Sequence, residues 1–336
     1  ARIANSLAEA GLLPSGQAPC LNVSEAHQLI SSLLADATSK DAPADTPETS
    51  PHIPTVPRGA NQEPVVELTD VTFAYPHGGA SVNNLNMRVY PGELVGVIGQ
   101  NGAGKTTLTK LLNGLLHPAS GTVHMAGMNT ADVPTSAIAA KCATLFQNPD
   151  RQLCRDTVLD EIAFSLELHG VTADEARQRA RIAAERFGLP LDESPFSLSR
   201  GQRQMVALAS VVVLDPQVVL LDEPTSGLDY RECMTVMETV SEMAERGCAV
   251  IMVCHDMEVV SDFAQRLVVM ADGHILERGD ADRIFADDAL MRAAYVEPPQ
   301  VVALSKELAR DVSPRFAGIS QVSDLVDLVK EMLNHD

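Results

Sequence analysis

The residues with the clearest chemical purpose run from Gly99 to Thr106, in the order Gly-Gln-Asn-Gly-Ala-Gly-Lys-Thr. Glycines at this spacing let the backbone curl with its N–H groups pointing inward. An anion held there also meets the positive end of the helix that follows. Lys105 is placed to reach the outer phosphates of a nucleotide, and the Thr106 hydroxyl to ligate Mg²⁺. Gly99, Asn101, Gly102, Gly104 and Thr107 are counted with them as nucleotide-binding positions. A second group follows at Asp222 and Glu223, two carboxylates directly after the apolar run Val218-Val219-Leu220-Leu221. Alone, such a pair reads as a strand ending in a polar turn. Downstream of a phosphate loop it reads as chemistry: Asp222 holding Mg²⁺ through its water shell, Glu223 polarising the attacking water as general base.

These groups need a scaffold that delivers loops to one edge. Glu93 to Ile98 reads as a buried strand feeding the glycine-rich loop, and a helix opens at Gly104 and runs through Leu112. Val218–Leu221 reads as a central strand whose C-terminal end presents the carboxylates, where open α/β sheets hold ligands. Strand and helix patterns alternate from Val65 to Gly279, as in an α/β domain. The spacing predicts a P-loop NTPase core with a mostly parallel sheet.

Leu198-Ser199-Arg200-Gly201-Gln202 resembles the LSGGQ signature of ATP-binding cassette (ABC) ATPases, with Arg200 at the usual first glycine. The resemblance spans residues 65 to about 285 and implies an antiparallel β-subdomain (Val65–Val71, Val82–Val89, Gly121–Gly127), an inserted helical subdomain at about 156–195, and two ATP molecules sandwiched in a head-to-tail dimer. In it Ser199, Gly201 and Gln202 grip the γ-phosphate held by the opposite subunit, so one domain alone has half a site. It further implies that Tyr75 stacks on adenine, a core aromatic being the alternative. By the same resemblance Gln147 senses Mg²⁺ and the transport partner, Ser226-Gly227-Leu228-Asp229 communicates across the dimer, and His255 contacts the γ-phosphate. Arg200 adds a cation where close backbone approach is usual, so the site using this loop is expected to be slower or asymmetric. The site built on Lys105 is expected to be competent.

Phe146-Gln147-Asn148-Pro149-Asp150-Arg151-Gln152, followed by Thr157-Val158-Leu159-Asp160-Glu161-Ile162-Ala163-Phe164, is similar to the ATPases of energy-coupling factor (ECF) transporters and the related cobalt and nickel importers. That likeness implies a motor for uptake of a vitamin or transition-metal ion. Its partners would be a second ABC ATPase domain, an integral membrane coupling subunit and a substrate-binding membrane protein. A soluble ABC ATPase acting on ribosomes is the alternative, disfavoured because those proteins join two cassettes by long, basic, helical linkers. A DNA-repair ATPase is disfavoured further, since no large insertion or cysteine cluster separates Gly104 from Leu198.

Composition agrees. The 336 residues carry a formal net charge of −20 and are 45% hydrophobic, which argues against nucleic acid as a partner and against adhesion to anionic lipid. No run is long and apolar enough to span a bilayer, and no basic-then-apolar leader is visible. A peripheral place on the cytoplasmic side of the cell membrane is expected. The six cysteines show no metal-ligand spacing and read as free thiols. Asp36 to Gln62, rich in Pro, Ala, Asp, Ser and Thr, reads as a disordered linker. It divides residues 1–35 from an ABC ATPase domain at 63–285, which a helical extension at 286–336 follows as a possible dimerisation element. The apolar set of that extension is Val322, Leu325, Val326, Leu328, Val329 and Leu333.

The two ends of the chain are alike. Ala8-Glu9-Ala10-Gly11-Leu12-Leu13-Pro14, then Val23-Ser24-Glu25-Ala26-His27-Gln28-Leu29-Ile30, resembles Arg292–Pro298, then Ile319–Val326. Residues 1–35 therefore read as the tail of a preceding, similar domain, and an opening Ala1 suits the second half of a tandem protein. The other reading is two unrelated amphipathic helices.

Overall fold

The computed structural model describes residues 2–13, 22–37, 62–76, 78 and 81–334. Most of the linker stretch, and Cys20 with it, lies outside the described residues. The described chain forms two compact units. The larger holds 62–255 and 265–278, and the smaller holds the N-terminal segment, Asp256–Ala264 and the residues from Gly279 onward. Two helices of the smaller unit come first in the chain, α1 (Arg2–Glu9) and α2 (Val23–Ala37).

In the larger unit, β1 (Val66–Phe73) and β2 (Val82–Val89) pair antiparallel. Val66, Leu68 and Val71 all point into the core although the last two are three residues apart. A bulge at Asp70, with φ 51°, re-aims the strand so that both faces of the break stay apolar inward. Then follow β3 (Leu94–Ile98), α3 (Lys105–Leu112), β4 (Ser120–Met125), β5 (Met128–Asn129), α4 (Thr135–Ala139) and β6 (Cys142–Leu145). The strand order β2-β1-β4-β5 makes the small antiparallel sheet. One core cluster joins it to the main sheet: Val66, Leu68, Leu85 and Val123 pack with Val95, Val97, Leu108 and Leu111.

Three helices come next: α5 (Val158–Leu168), α6 (Ala173–Arg186) and α7 (Arg200–Val212). Thr157 caps α5, its hydroxyl accepting from Asp160 N. On α6 the buried stripe is Ala176, Ala180 and Ala184, small residues at i, i+4 and i+8 that allow close packing on α5. The chain continues with β7 (Val218–Asp222), α8 (Tyr230–Glu245) and β8 (Ala249–Val253). After them come α9 (Met257–Phe263) of the smaller unit, β9 (Arg266–Ala271) and β10 (His274–Asp280). The main sheet has the order β10-β9-β3-β8-β7-β6. The pairs β3–β8, β3–β9, β7–β8 and β6–β7 are all parallel. The C-terminal ends of β3, β8, β7 and β6 therefore stand in a row along one edge.

The smaller unit closes with α10 (Ala281–Ala286), α11 (Asp288–Ala293), α12 (Gln300–Asp311) and α13 (Val322–Asn334). It reaches beyond the 286–336 extension, since Ile284 and Phe285 on α10 are buried and Ser261 on α9 donates to Ser320 O at 2.7 Å. Ala26, Ile30 and Leu34 bury one face of α2, which packs on α12 and α13, while α1 packs on α13. Leu12 N returns to Leu7 O beneath left-handed Gly11, and Val296 N to Met291 O beneath left-handed Tyr295. The two likened segments at 8–14 and 292–298 thus share a helix-ending turn. The five described cysteines are free. Among the described residues no helix is long and apolar enough to cross a membrane.

Candidate functional site

Four strand ends supply the site. β3 runs into the glycine loop and α3, β6 delivers Gln147, β7 delivers Asp222 and Glu223, and β8 delivers His255. Asn101, Gly102, Gly104, Lys105, Thr106, Thr107, Gln147, Asp222, Glu223, Val253 and His255 line one cavity of about 280 Å³. A larger cavity of about 470 Å³ lies over the antiparallel sheet, but its arginines are already engaged: Arg88 with Glu67 and Arg266 with Glu93, each at 2.7 Å, and Arg278 with the carbonyl of Asn86. Chemistry, rather than volume, selects the smaller one.

The glycines earn their places differently. A Cβ on Gly99 would stand 2.0 Å from Met270 O on β9, and one on Gly104 would stand 2.8 Å from Val82 Cγ1 on β2. Gly102 faces open space and is required for its φ of 86° alone. Lys105 is 6% exposed, its Nζ donating to Gly99 O (2.5 Å) and Gln100 O (3.0 Å). Burial holds its pKa below the ordinary lysine value against the opposing pull of Glu223 and Asp222. Burial likewise raises Asp222, with Lys105 and Lys110 opposing.

Glu223 is the most perturbed of these groups. Burial first, and the charge of Asp222 second, push its carboxyl up to about 7, while Lys105 and the backbone N–H of His255 pull the other way. Its backbone has φ 54°, a left-handed conformation uncommon for a non-glycine residue, and Glu223 N is fixed to Val253 O at 2.8 Å. His255 Nε2 stands 2.9 Å from Glu223 Oε1. Burial, then Lys105, lower the imidazole pKa, so the neutral ring faces a poised carboxylate.

The remaining expected site residues lie apart from this cavity. Ser199 caps α7, accepting from Gln202 N at 3.2 Å while Gln202 Oε1 accepts from Ser199 N at 3.1 Å. Asp229 caps α8 in the same reciprocal way with Glu232. Gly201 is buried against the Glu232 carboxylate, which a Cβ there would have to push aside. Arg200 extends over the backbone of Gly227, where a Cβ would meet its Nε at 3.1 Å. Tyr75 is half-buried, edge-on to Phe73 with ring centroids 4.9 Å apart.

Sequence reasoning missed the polar ties behind the site. Arg203 lies within 2.8 Å of Asp150 and donates to Leu198 O at 2.7 Å. Gln204 donates to Pro224 O at 3.3 Å, beside Glu223. Glu161 accepts from Cys154 N and Arg155 N, both at 2.7 Å. Gln204 carried a signal: it shares a helical face with Ala207, Leu208 and Val211, and a polar residue on an apolar stripe calls for an internal partner.

A family model described as ABC transporter matches residues 82–226. A putative ABC transporter ATP-binding protein, TTE1589, of Caldanaerobacter subterraneus is 37% identical over 73% of this chain and 44% of its own length. The chain thus spans less than half of the length of that relative. The energy-coupling factor transporter ATP-binding protein EcfA2 of Acetivibrio thermocellus is 34% identical, covering 74% of this chain and 91% of the relative. Among solved structures, cbiO1 from Clostridium perfringens, part of the ABC transporter complex cbiONQ, superposes with a TM-score of 0.60. It is 27% identical and covers 80% of this chain and 100% of that one.

Proposed function

Because the chain belongs to the family of ABC transporter ATP-binding proteins that includes the energy-coupling factor subunits, we propose that it hydrolyses MgATP at a site completed by a second cassette, powering uptake of a vitamin or transition-metal ion. The observation that carries this reading is the single cavity shared by Lys105, Thr106, Gln147, Asp222, Glu223 and His255. Lys105 exchanges the carbonyls of Gly99 and Gln100 for the β- and γ-phosphates of ATP. Thr106, Gln147 and Asp222 offer hydroxyl, amide and carboxylate oxygens, a donor set suited to Mg²⁺ bound chiefly by phosphate and water. Mg²⁺ there would neutralise charge building on the phosphates. Glu223, ionised near neutral pH, accepts a proton from the water that attacks the γ-phosphorus as the bond to ADP breaks. His255 holds Glu223 in place through the 2.9 Å contact.

Ser199, Gly201 and Gln202 serve the other nucleotide, presenting the N-terminus of α7 to its γ-phosphate. Their separation from the Lys105 cavity supports a composite site. Tyr75 and Asp229 serve adenine stacking and communication across the pair. A membrane coupling subunit docks beside Gln147, where Phe146 is exposed, and a separate membrane protein binds the cargo. The chain then works on the cytoplasmic face of the membrane, held there by its partners. Residues 1–35 are the tail of a preceding similar domain in this reading, 36–62 a linker, 63–285 the cassette and 286–336 its extension.

The test is purification of the tagged full-length protein from detergent-solubilised membranes, with ATPase activity assayed and co-purifying chains identified. A helical membrane subunit together with a small hydrophobic binding protein is the expected result. Recovery of ribosomes, or of no membrane protein, would overturn the transport assignment and leave the nucleotide site standing.

A further inference from the structure

We infer that the turn Asp272-Gly273 between β9 and β10 belongs to the nucleotide site, and that Gly273 is a positioning residue which fixes the phosphate loop against the β1–β2 wall beside Tyr75. The inference deepens the function proposed above and rests on its placing of adenine on Tyr75.

Only two residues join β9 to β10: Asp272, with φ 49°, and Gly273, with φ 78°. Two successive left-handed residues make the tight turn that a hairpin prefers, and Asp-Gly is a favoured sequence for it. Such a turn is closed by a bond between its outer residues, so the N–H and carbonyl of its second inner residue have no role in it. In Gly273 these groups reach two segments distant in sequence. Its N–H donates to Ala103 O in the phosphate loop at 3.1 Å, and its carbonyl accepts from Asn83 N on β2 at 2.8 Å.

The space around Gly273 is closed by backbone. A Cβ there would stand 2.3 Å from Ser81 O and 3.1 Å from the carbonyl carbon of Ser81, and no change of rotamer clears either. Ser81 and Val82 in turn close on the phosphate loop: a Cβ on Gly104 would meet Val82 Cγ1 at 2.8 Å and Ser81 O at 3.4 Å. Val82 is fully buried and pairs with Phe73 across the β1–β2 ladder, and the Phe73 ring abuts Tyr75. Gly273 thus holds Ala103 on one side and residues 81–83 on the other with no flexible side chain between. Base and phosphates belong to one ligand, so the base contact strengthens binding only where the spacing lets both be met at once. A Cβ on Gly273 would push β2 off the loop and forfeit the base contact, while Lys105 still holds the phosphates.

The test compares a non-hydrolysable ATP analogue with inorganic triphosphate, which carries the phosphates without the base. Both are titrated with Mg²⁺ into the full chain, and the ratio of their affinities is read. Gly273→Ala is expected to reduce the preference for the analogue about tenfold, the order expected for loss of one base stack. Gly127 provides the control: it follows Ala126 (φ 48°) in a matching turn, has φ 78° itself, and has nothing within 4 Å of its Cβ position. Gly127→Ala therefore carries the same backbone strain and should keep the wild-type ratio. Val82→Ala thins the contact with Gly104 without backbone strain and should reduce the preference in the same direction, which keeps the test open should Gly273→Ala fail to fold. An unchanged ratio in Gly273→Ala, or in Val82→Ala where the glycine variant does not fold, would overturn the positioning role and leave Gly273 serving the hairpin alone. Tyr75→Ala tests the base assignment separately. An unchanged ratio there refutes the place of adenine, whereas a reduced ratio there with an unaffected Gly273→Ala overturns the positioning role only.

Discussion

Replacing Glu223 by Gln separates what this carboxylate does for catalysis from what it costs the fold. The side chain is 12% exposed, and burial, with the charge of Asp222 second, carries its pKa from the ordinary 4.5 to about 7. The unfolded chain has the ordinary value. Between the two, the folded protein keeps a proton that the unfolded one has released, so stability falls as pH rises through this window and the full cost is present above pH 7. Two to three tenfold steps in proton affinity, at about 1.4 kcal/mol each, amount to about 3 kcal/mol. Gln has nearly the same shape, keeps an oxygen toward His255 and never ionises. The variant should match wild type in urea unfolding near pH 4.5 and exceed it by up to about 3 kcal/mol at pH 8. Its ATP turnover in the assembled protein should fall by about 10²–10⁴-fold with nucleotide binding retained. Parallel stability curves across that pH range would show that the carboxylate bears no desolvation cost. Unchanged turnover would remove it from the role of base.

Other consequences are as open to measurement. The value of kcat/KM for ATP should rise about tenfold from pH 6 to pH 8 as Glu223 ionises, with analogue binding at each pH correcting for titration of the nucleotide; a flat profile would disconnect Glu223 from the rate. Gly99→Ala drives a Cβ to 2.0 Å from Met270 O and should lower stability by at least about 3 kcal/mol. An unshifted urea midpoint would mean that β9 yields freely there. Arg203→Ala should cost about 1–3 kcal/mol, and a double-mutant cycle with Asp150→Asn should show coupling above about 0.5 kcal/mol. Strict additivity would mean that the ion pair contributes nothing.

The row of strand ends at the Lys105 cavity was legible because each member is announced by a strand-then-polar break: Ile98 into Gly99, Leu221 into Asp222, Cys254 into His255. Period and composition are local, and so is that signal. What it could not carry was long-range. The φ of 54° at Glu223 depends on the bond from its N–H to Val253 on a neighbouring strand, and nothing near Glu223 in sequence calls for it. Family likeness makes Gly201 a proposed phosphate contact. Its packing on Glu232, 31 residues later, belongs to the meeting of two helix N-termini. Asp229 is the opposite case, since a capping Asp with Glu three residues on is a local signal that needs no distant partner.

The ties behind the site bear on how it could be controlled. α7 carries the signature residues at its N-terminus, where Ser199 caps it. Along its first two turns it is bound to two of the loops that frame the Lys105 cavity, those after β6 and β7. Arg203 joins it to Asp150 in the segment after Gln147, and Gln152 Nε2 donates to Ala207 O at 3.3 Å while its oxygen faces Phe146 N. Gln204 joins it to Pro224, next to Glu223. Gln204 is 2% exposed, and a buried polar group left without its partner costs about 1–3 kcal/mol. The loop after β6, the first turns of α7 and the turn at Pro224 beside Glu223 are thus tied into one bonded unit, with α7 at its centre.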